Sequence, residues 1–141
     1  MDVDSNLVGN TYPWGNTIGG GDANYFASGD PFEPGGSPDT APVGFYDGGQ
    51  VPAGANRANG YGLYDMAGNL WEWCWDWHDN DYYGVSPTTD PRGPSSSPSG
   101  ARVLRGGSWV DASTVLRYAV RFTFFPVVEF DVLGFRSARG L

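Results

Sequence analysis

"YGLYDMAGNLWEWCWDWH", Tyr61–His78, is the stretch on which the fold turns. Trp71, Trp73, Trp75 and Trp77 alternate with Glu72, Cys74 and Asp76. A strand sends successive side chains to opposite faces, so this period of two sets four indoles on one face and the polar residues on the other. Each indole buries a large area, and the chain has few other large apolar runs from which to build a centre. The indole face is therefore expected to be core, and stacking on a sugar is the rival use of the same rings. Just upstream, "DMAGNLWE" holds Asp65, a glycine turn that frees carbonyl oxygens, and Glu72. Mixed carboxylate and carbonyl oxygens suit Ca²⁺; a capped turn leading into the tryptophan strand is the alternative.

The 141 residues around this stretch suit a single domain, 1–141, with one core. Charged residues make up only 17% and aromatics 16%, with 22 Gly and 11 Pro. That is too aromatic for disorder and predicts many turns and few long helices. The net charge of −8 repels phosphates, so no nucleic-acid partner is expected. Cys74 is the one cysteine and His78 the one histidine, which excludes a disulfide framework, a CxxC metal site and a multi-histidine centre. No charged segment followed by an apolar run opens the chain, so no signal peptide is expected. No apolar stretch approaches the roughly 18–20 residues of a membrane span.

Residues 1–60 carry Gly, Pro, Asn and Asp every few positions and read as surface loops over a small core. Residues 79–101, "DNDYYGVSPTTDPRGPSSSPSGA", read as a long loop. "RVLRGGSW" (Arg102–Trp109) reads as a short strand closed by a Gly-Gly turn. In "RYAVRFTFFPVVEFDVLGFR" (Arg117–Arg136), Tyr118, Val120, Phe122 and Phe124 fall on one strand face. Val128, Phe130 and Val132 fall on another after Pro126.

Catalytic constellations are sparse. Any Ser-His-Asp triad would need His78, and nothing near it resembles a nucleophile elbow. Cys74 between tryptophans reads as a small hydrophobe. "GGG" at 19–21 is a turn, since no helix follows to make a phosphate loop.

"YPWGN" (Tyr12–Asn16), "TAPVG" (Thr40–Gly44), "NGYGLYDMAGNLWEW" (Asn59–Trp73), "RVLRGGSW" (Arg102–Trp109) and "GFRSAR" (Gly134–Arg139) resemble, in order, the motifs of the formylglycine-generating enzyme (sulfatase-modifying factor) family. The resemblance implies an α+β fold, a variant of the C-type lectin fold with much irregular structure. The family's helical segment ahead of "YPWGN" has no counterpart here. Oxygen-dependent members also carry two redox cysteines shortly after "RGGS", where this chain has Val110 to Val120 without a thiol. That chemistry needs thiolates to bind copper and activate the substrate cysteine, so no copper and no formylglycine-generating activity are expected. The family implies two structural calcium sites. One would use the side chains of Asp65 and Glu72 with the carbonyls of Gly68 and Leu70. The other would use Asn24, the Tyr25 carbonyl and an acid, for which Asp30 and Asp39 compete.

Between "RGGSW" and "GFR" the chain separates into a family-like frame and unfamiliar filler. The frame is Arg105–Trp109, Leu116, Arg117, Ala119, Arg121, Pro126 and Gly134–Arg136. The filler is Val110, Asp111, Ala112, Thr114, Val115, Tyr118, Val120, Phe122, Thr123, Phe124, Phe125, Val127, Val128, Phe130, Asp131 and Val132. This layout resembles the variable proteins of diversity-generating retroelements, whose C-terminal segment is rewritten by adenine-directed mutagenesis, often at AAC or AAT codons. Those codons become Val, Asp, Ala, Thr, Tyr or Phe but never Lys, Gln, Glu, Met or Trp. Every filler residue is in the permitted set; Glu129 is not and belongs to the frame.

The resemblance implies a non-catalytic display protein. Its variable region, within 105–139, recognises a protein or cell-surface target and is carried on the surface of a cell or virus particle. The filler is expected in turns and a concave site, with the frame arginines pairing inward. A divergent oxidase and a carbohydrate-binding module are the competing functions, and burial of the filler as ordinary core is the competing structure.

Overall fold

A computed structural model describes residues 9–32, 39–51 and 53–137. Its regular structure is one four-stranded sheet: β1 (Trp71–Trp77), β2 (Arg102–Arg105), β3 (Phe122–Phe124) and β4 (Leu133–Gly134), in the order β3-β2-β1-β4. β2 runs antiparallel to both β1 and β3, and β4 runs parallel to β1. Helix among the described residues amounts to two 3₁₀ turns, Tyr82–Gly84 and Ser113–Val115. Among the described residues no helix is long and apolar enough to cross a membrane.

The tryptophan strand forms where its pattern predicts, but its indole face is not uniformly core. Trp71 is buried, Trp73 and Trp77 are half-buried, and Trp75 is 85% exposed. The ladder explains this. Trp73 pairs with Leu104 and Trp77 with Arg102, so four steps on β1 are matched by two on β2. The extra residues bulge outward and carry Trp75 off the sheet. Arg102 covers what the bulge exposes: its guanidinium lies 3.9 Å from the Trp77 ring centroid and 5.1 Å from that of Trp75.

The turn-rich first part of the chain is more than surface loop. Tyr12, Ala23, Ala41 and Tyr46 are buried, as are the polar Asp22, Asn24, Asp30 and Gln50. Buried polar groups need partners. Asp22 pairs with Arg57 at 2.7 Å. Asp30 accepts from the Tyr46 hydroxyl, Ser28 Oγ and the Phe32 amide. The core centres on Tyr12, Ala23, Ala67 and Leu116, with Trp14, Ile18 and Tyr25 packed against it. Loops supply it because small residues and satisfied polar groups let backbone pack where long side chains would not fit.

The "DMAGN" turn joins these loops to the sheet. Asn69 holds Ala41 through both its backbone groups, at 3.0 and 3.1 Å. The Asn69 amide donates to the Asn24 carbonyl, and its own carbonyl accepts from Trp109. Gly68 donates to the Gly106 carbonyl at 2.8 Å. The Gly-Gly turn after β2 is required twice over. Gly107 has φ +74°, and a Cβ there would lie 2.8 Å from Leu116 Cδ1.

Candidate functional site

The C-terminal segment is mostly irregular. Of the strand expected from Tyr118 to Phe124, only Phe122–Phe124 forms, paired to β2. Tyr118 lies in a turn. Val128 and Phe130 carry no regular structure, and Val132 is in the turn before the two-residue β4. Sequence alternation overestimated strand here because the segment bends at Arg117–Val120 and at Phe125–Val128, where backbone bonds close tight turns.

None of the sixteen filler residues is buried. Val110, Ala112, Thr114, Tyr118, Phe122, Phe125, Val127, Phe130 and Asp131 are exposed; Asp111, Val115, Val120, Thr123, Phe124, Val128 and Val132 are half-buried. The frame contributes the buried positions of the same segment: Gly107, Ser108 and Leu116. Three filler rings form a chain over the sheet: Phe122 lies 5.4 Å from the buried Trp71, 6.2 Å from Phe124, and Phe124 lies 5.3 Å from Phe130. The surface is aromatic and aliphatic, the composition of an interface core. Residues 138–139 of the expected variable region lie outside the described residues.

The scaffold grips this segment almost wholly by its backbone. Arg105 Nη1 donates to the carbonyls of Tyr118 (2.8 Å) and Val120 (3.5 Å). Arg117 Nε donates to the Thr114 carbonyl. The Tyr12 hydroxyl reaches the Ser113 carbonyl, and the Phe26 and Trp71 amides reach the carbonyls of Asp111 and Val132. The Tyr118 amide donates to Thr11. Asp111 is the exception. Its carboxylate accepts from the Ser108 amide and hydroxyl at 2.9 and 2.6 Å, so it caps the Gly-Gly turn instead of facing outward like Asp131.

The four residues of the first expected calcium site, Asp65, Gly68, Leu70 and Glu72, line one cavity of about 350 Å³. Burial, the largest influence, pushes the Asp65 carboxyl up; the Gly44 amide, bonded to it at 2.7 Å, and Arg136 oppose this. Glu72 already has a cation. Arg136 forks onto both its oxygens and also donates to the carbonyls of Tyr64 and Asp65. The donors at this cavity are of the type calcium takes, but Glu72 would have to share its carboxylate with Arg136. At the second expected site Asn24 Nδ2 donates to the Asp39 carbonyl at 2.8 Å. Of the two competing acids, Asp30 has both oxygens hydrogen-bonded, whereas Asp39 Oδ1 is buried with no hydrogen-bond partner among the described residues. A buried, unmatched carboxylate oxygen beside Asn24 fits a bound cation, so the geometry favours Asp39.

Cys74 is half-buried, and burial is the largest influence on its thiol, pushing its pKa up. That is the opposite of what a nucleophilic or copper-binding thiolate needs. His78 enters the structure through its backbone, donating to Ala101 and accepting from Ser97 Oγ. A second cavity, of about 520 Å³, lies between the sheet and the loops and is lined in part by Met66, Tyr83, Arg105 and Tyr118. Tyr83 was not legible as a site residue, because it sits in a loop with no pattern pointing to it.

Residues 5–141 match the family described as Sulfatase-modifying factor enzyme 1-like domain. The chain belongs to this family. It is 45% identical over 91 residues to a formylglycine-generating enzyme of Streptomyces coelicolor, covering 62% of this chain and 28% of that protein. An inactive Cα-formylglycine-generating enzyme 2 of Mus musculus is 35% identical over 138 residues, 94% of this chain and 37% of the relative. Among solved structures, Treponema denticola variable protein 1 superposes with a TM-score of 0.62 and 33% identity, covering 90% of this chain and 40% of that one. The chain thus spans less than half the length of these relatives. The fold is the irregular α+β fold of the formylglycine-generating enzyme type, as the motifs implied. The proteins it resembles include formylglycine-generating enzymes, one relative named as inactive, and a variable protein.

Proposed function

We propose that this chain is a non-catalytic binding protein. Its filler residues, from Val110 to Val132, form a diversified surface that recognises a protein or cell-surface target, displayed on a cell or virus particle. The observation that carries this reading is the division within one segment. None of the sixteen filler side chains is buried, while Gly107, Ser108 and Leu116 between and before them are. The likeness to a variable protein of Treponema denticola supports it. So does the raised pKa of the lone thiol, which disfavours the oxidase alternative. Calcium belongs to this proposal as a structural ion held at Asn24, the Tyr25 carbonyl and Asp39, and at Asp65, Gly68, Leu70 and Glu72.

The test is genetic. The DNA flanking the gene should contain a near-copy of the segment encoding Arg105–Arg139, differing mainly by adenines at the sixteen filler codons, beside a reverse-transcriptase gene. Flanking DNA with neither copy nor reverse transcriptase would overturn diversification.

A further inference from the structure

We propose that the 520 Å³ cavity is a binding site for a small organic carboxylate with an apolar body, separate from the filler surface. Its volume lies in the range of small-molecule sites, roughly 300–1,000 Å³. Most of its wall is scaffold: Pro13, Met66, Tyr83, Arg105 and Ala119, with Tyr118 the only filler residue. Pro13, Met66 and the two tyrosines offer apolar and aromatic surface for a ligand's body.

The charge comes from arginines that no carboxylate among the described residues neutralises. The two ion pairs among the described residues are Arg57–Asp22 and Arg136–Glu72. Arg105, on the cavity wall, gives one nitrogen to the Tyr118 and Val120 carbonyls and has no ion pair. Arg121 likewise has none, and its guanidinium lies 5.0 Å from the centroid of Tyr83, a wall residue. β2 pairs with β3 at Leu104–Phe122, so Arg105 and Arg121, each one residue beyond that pair, stand near one another. Glu72, also on the wall, carries its own counter-charge in Arg136. With Glu72 matched by Arg136, Arg105 on the wall and Arg121 beside the Tyr83 ring have no carboxylate partner among the described residues and make a cationic corner in a protein of net charge −8. A planar guanidinium with free N–H groups recognises a carboxylate bidentately. The cavity wall is mostly scaffold, so the site is independent of whether the filler is diversified.

Phenylacetate and its uncharged twin phenylacetamide serve as probes, followed by amide chemical-shift changes in the labelled protein. Phenylacetate should shift resonances of Met66, Tyr83 and Arg105, and bind at least tenfold more tightly than the amide. Arg121→Gln should weaken it at least fivefold. Ala119→Trp, which fills the cavity from an exposed turn and leaves both arginines in place, should abolish it even if Arg121→Gln fails to fold. Equal binding of acid and amide, or shifts that persist in Ala119→Trp, would overturn the proposal.

Discussion

Replacing Phe125, Val127 and Leu116 singly by alanine separates a binding surface from a core within twelve positions of one chain. Full burial of a large apolar side chain is worth about 1.5–3 kcal/mol. Phe125 keeps 52% of its surface exposed, so about half of the upper figure is at stake, roughly 1–1.5 kcal/mol. Val127 is 88% exposed and its loss costs about 0.2 kcal/mol. Leu116 has no exposed surface, and its methyls press on Gly107 and Gly68, whose nearest Cβ positions would lie 2.8 and 3.1 Å away. Backbone cannot relax into the hole as side chains can, which places Leu116→Ala in the upper part of the observed range, about 3–5 kcal/mol. Urea unfolding of the three variants, with equal slopes, measures the differences. The order Leu116 far above Phe125, and Phe125 above Val127, is expected. A Phe125→Ala cost of about 3 kcal/mol or more would mean the filler is core and refute the surface assignment.

Burial raises the Asp65 carboxyl, so its protonated form stabilises the fold: that contribution is full below the ordinary value of 3.8 and is lost as pH rises through the elevated folded pKa. In chelator, Asp65→Asn should flatten this fall and leave the protein at least as stable at neutral pH; calcium should then raise the melting temperature of the parent more than that of the variant, and an equal response would remove Asp65 from the ion's ligands. Alkylation of Cys74 by iodoacetamide should be slow at neutral pH and still rising beyond pH 9.0, and a plateau near neutrality would restore the reactive-thiol reading.

The sequence disclosed the sheet's two principal strands, because alternation in "WEWCWDW" and the Gly-Gly stop after "RVLR" are local signals. It overstated the tryptophan face, because a bulge is set by the partner strand's length and leaves no mark on the period of β1. It also placed the loops of residues 1–60 outside a core they help to build. Asn24, Asp30 and Gln50 are buried by partners far along the chain or by compact turns, which composition alone does not encode. The filler positions were singled out because they depart from a family pattern. The cavity at Arg105 was not, since Pro13, Met66, Tyr83 and Ala119 meet only in three dimensions.

A surface that is to change its side chains must be held by something other than those side chains. The bonds that fix residues 110–132 meet that condition. Arg105, Arg117, Tyr12, Phe26 and Trp71 all address carbonyl oxygens, and a carbonyl is the same whatever residue bears it. The strand pairing of Phe122–Phe124 with β2 is likewise backbone to backbone. Two contacts between filler and scaffold depend on filler identity, the Asp111 cap on Ser108 and the tilted packing of Phe122 on Trp71; Phe130 meets another filler ring, Phe124. Variation at those two positions carries a structural cost that variation at Val127 or Phe130 does not. A population of natural variants should therefore be narrower at 111 and 122 than at 127 and 130, a gradient that binding selection alone does not produce.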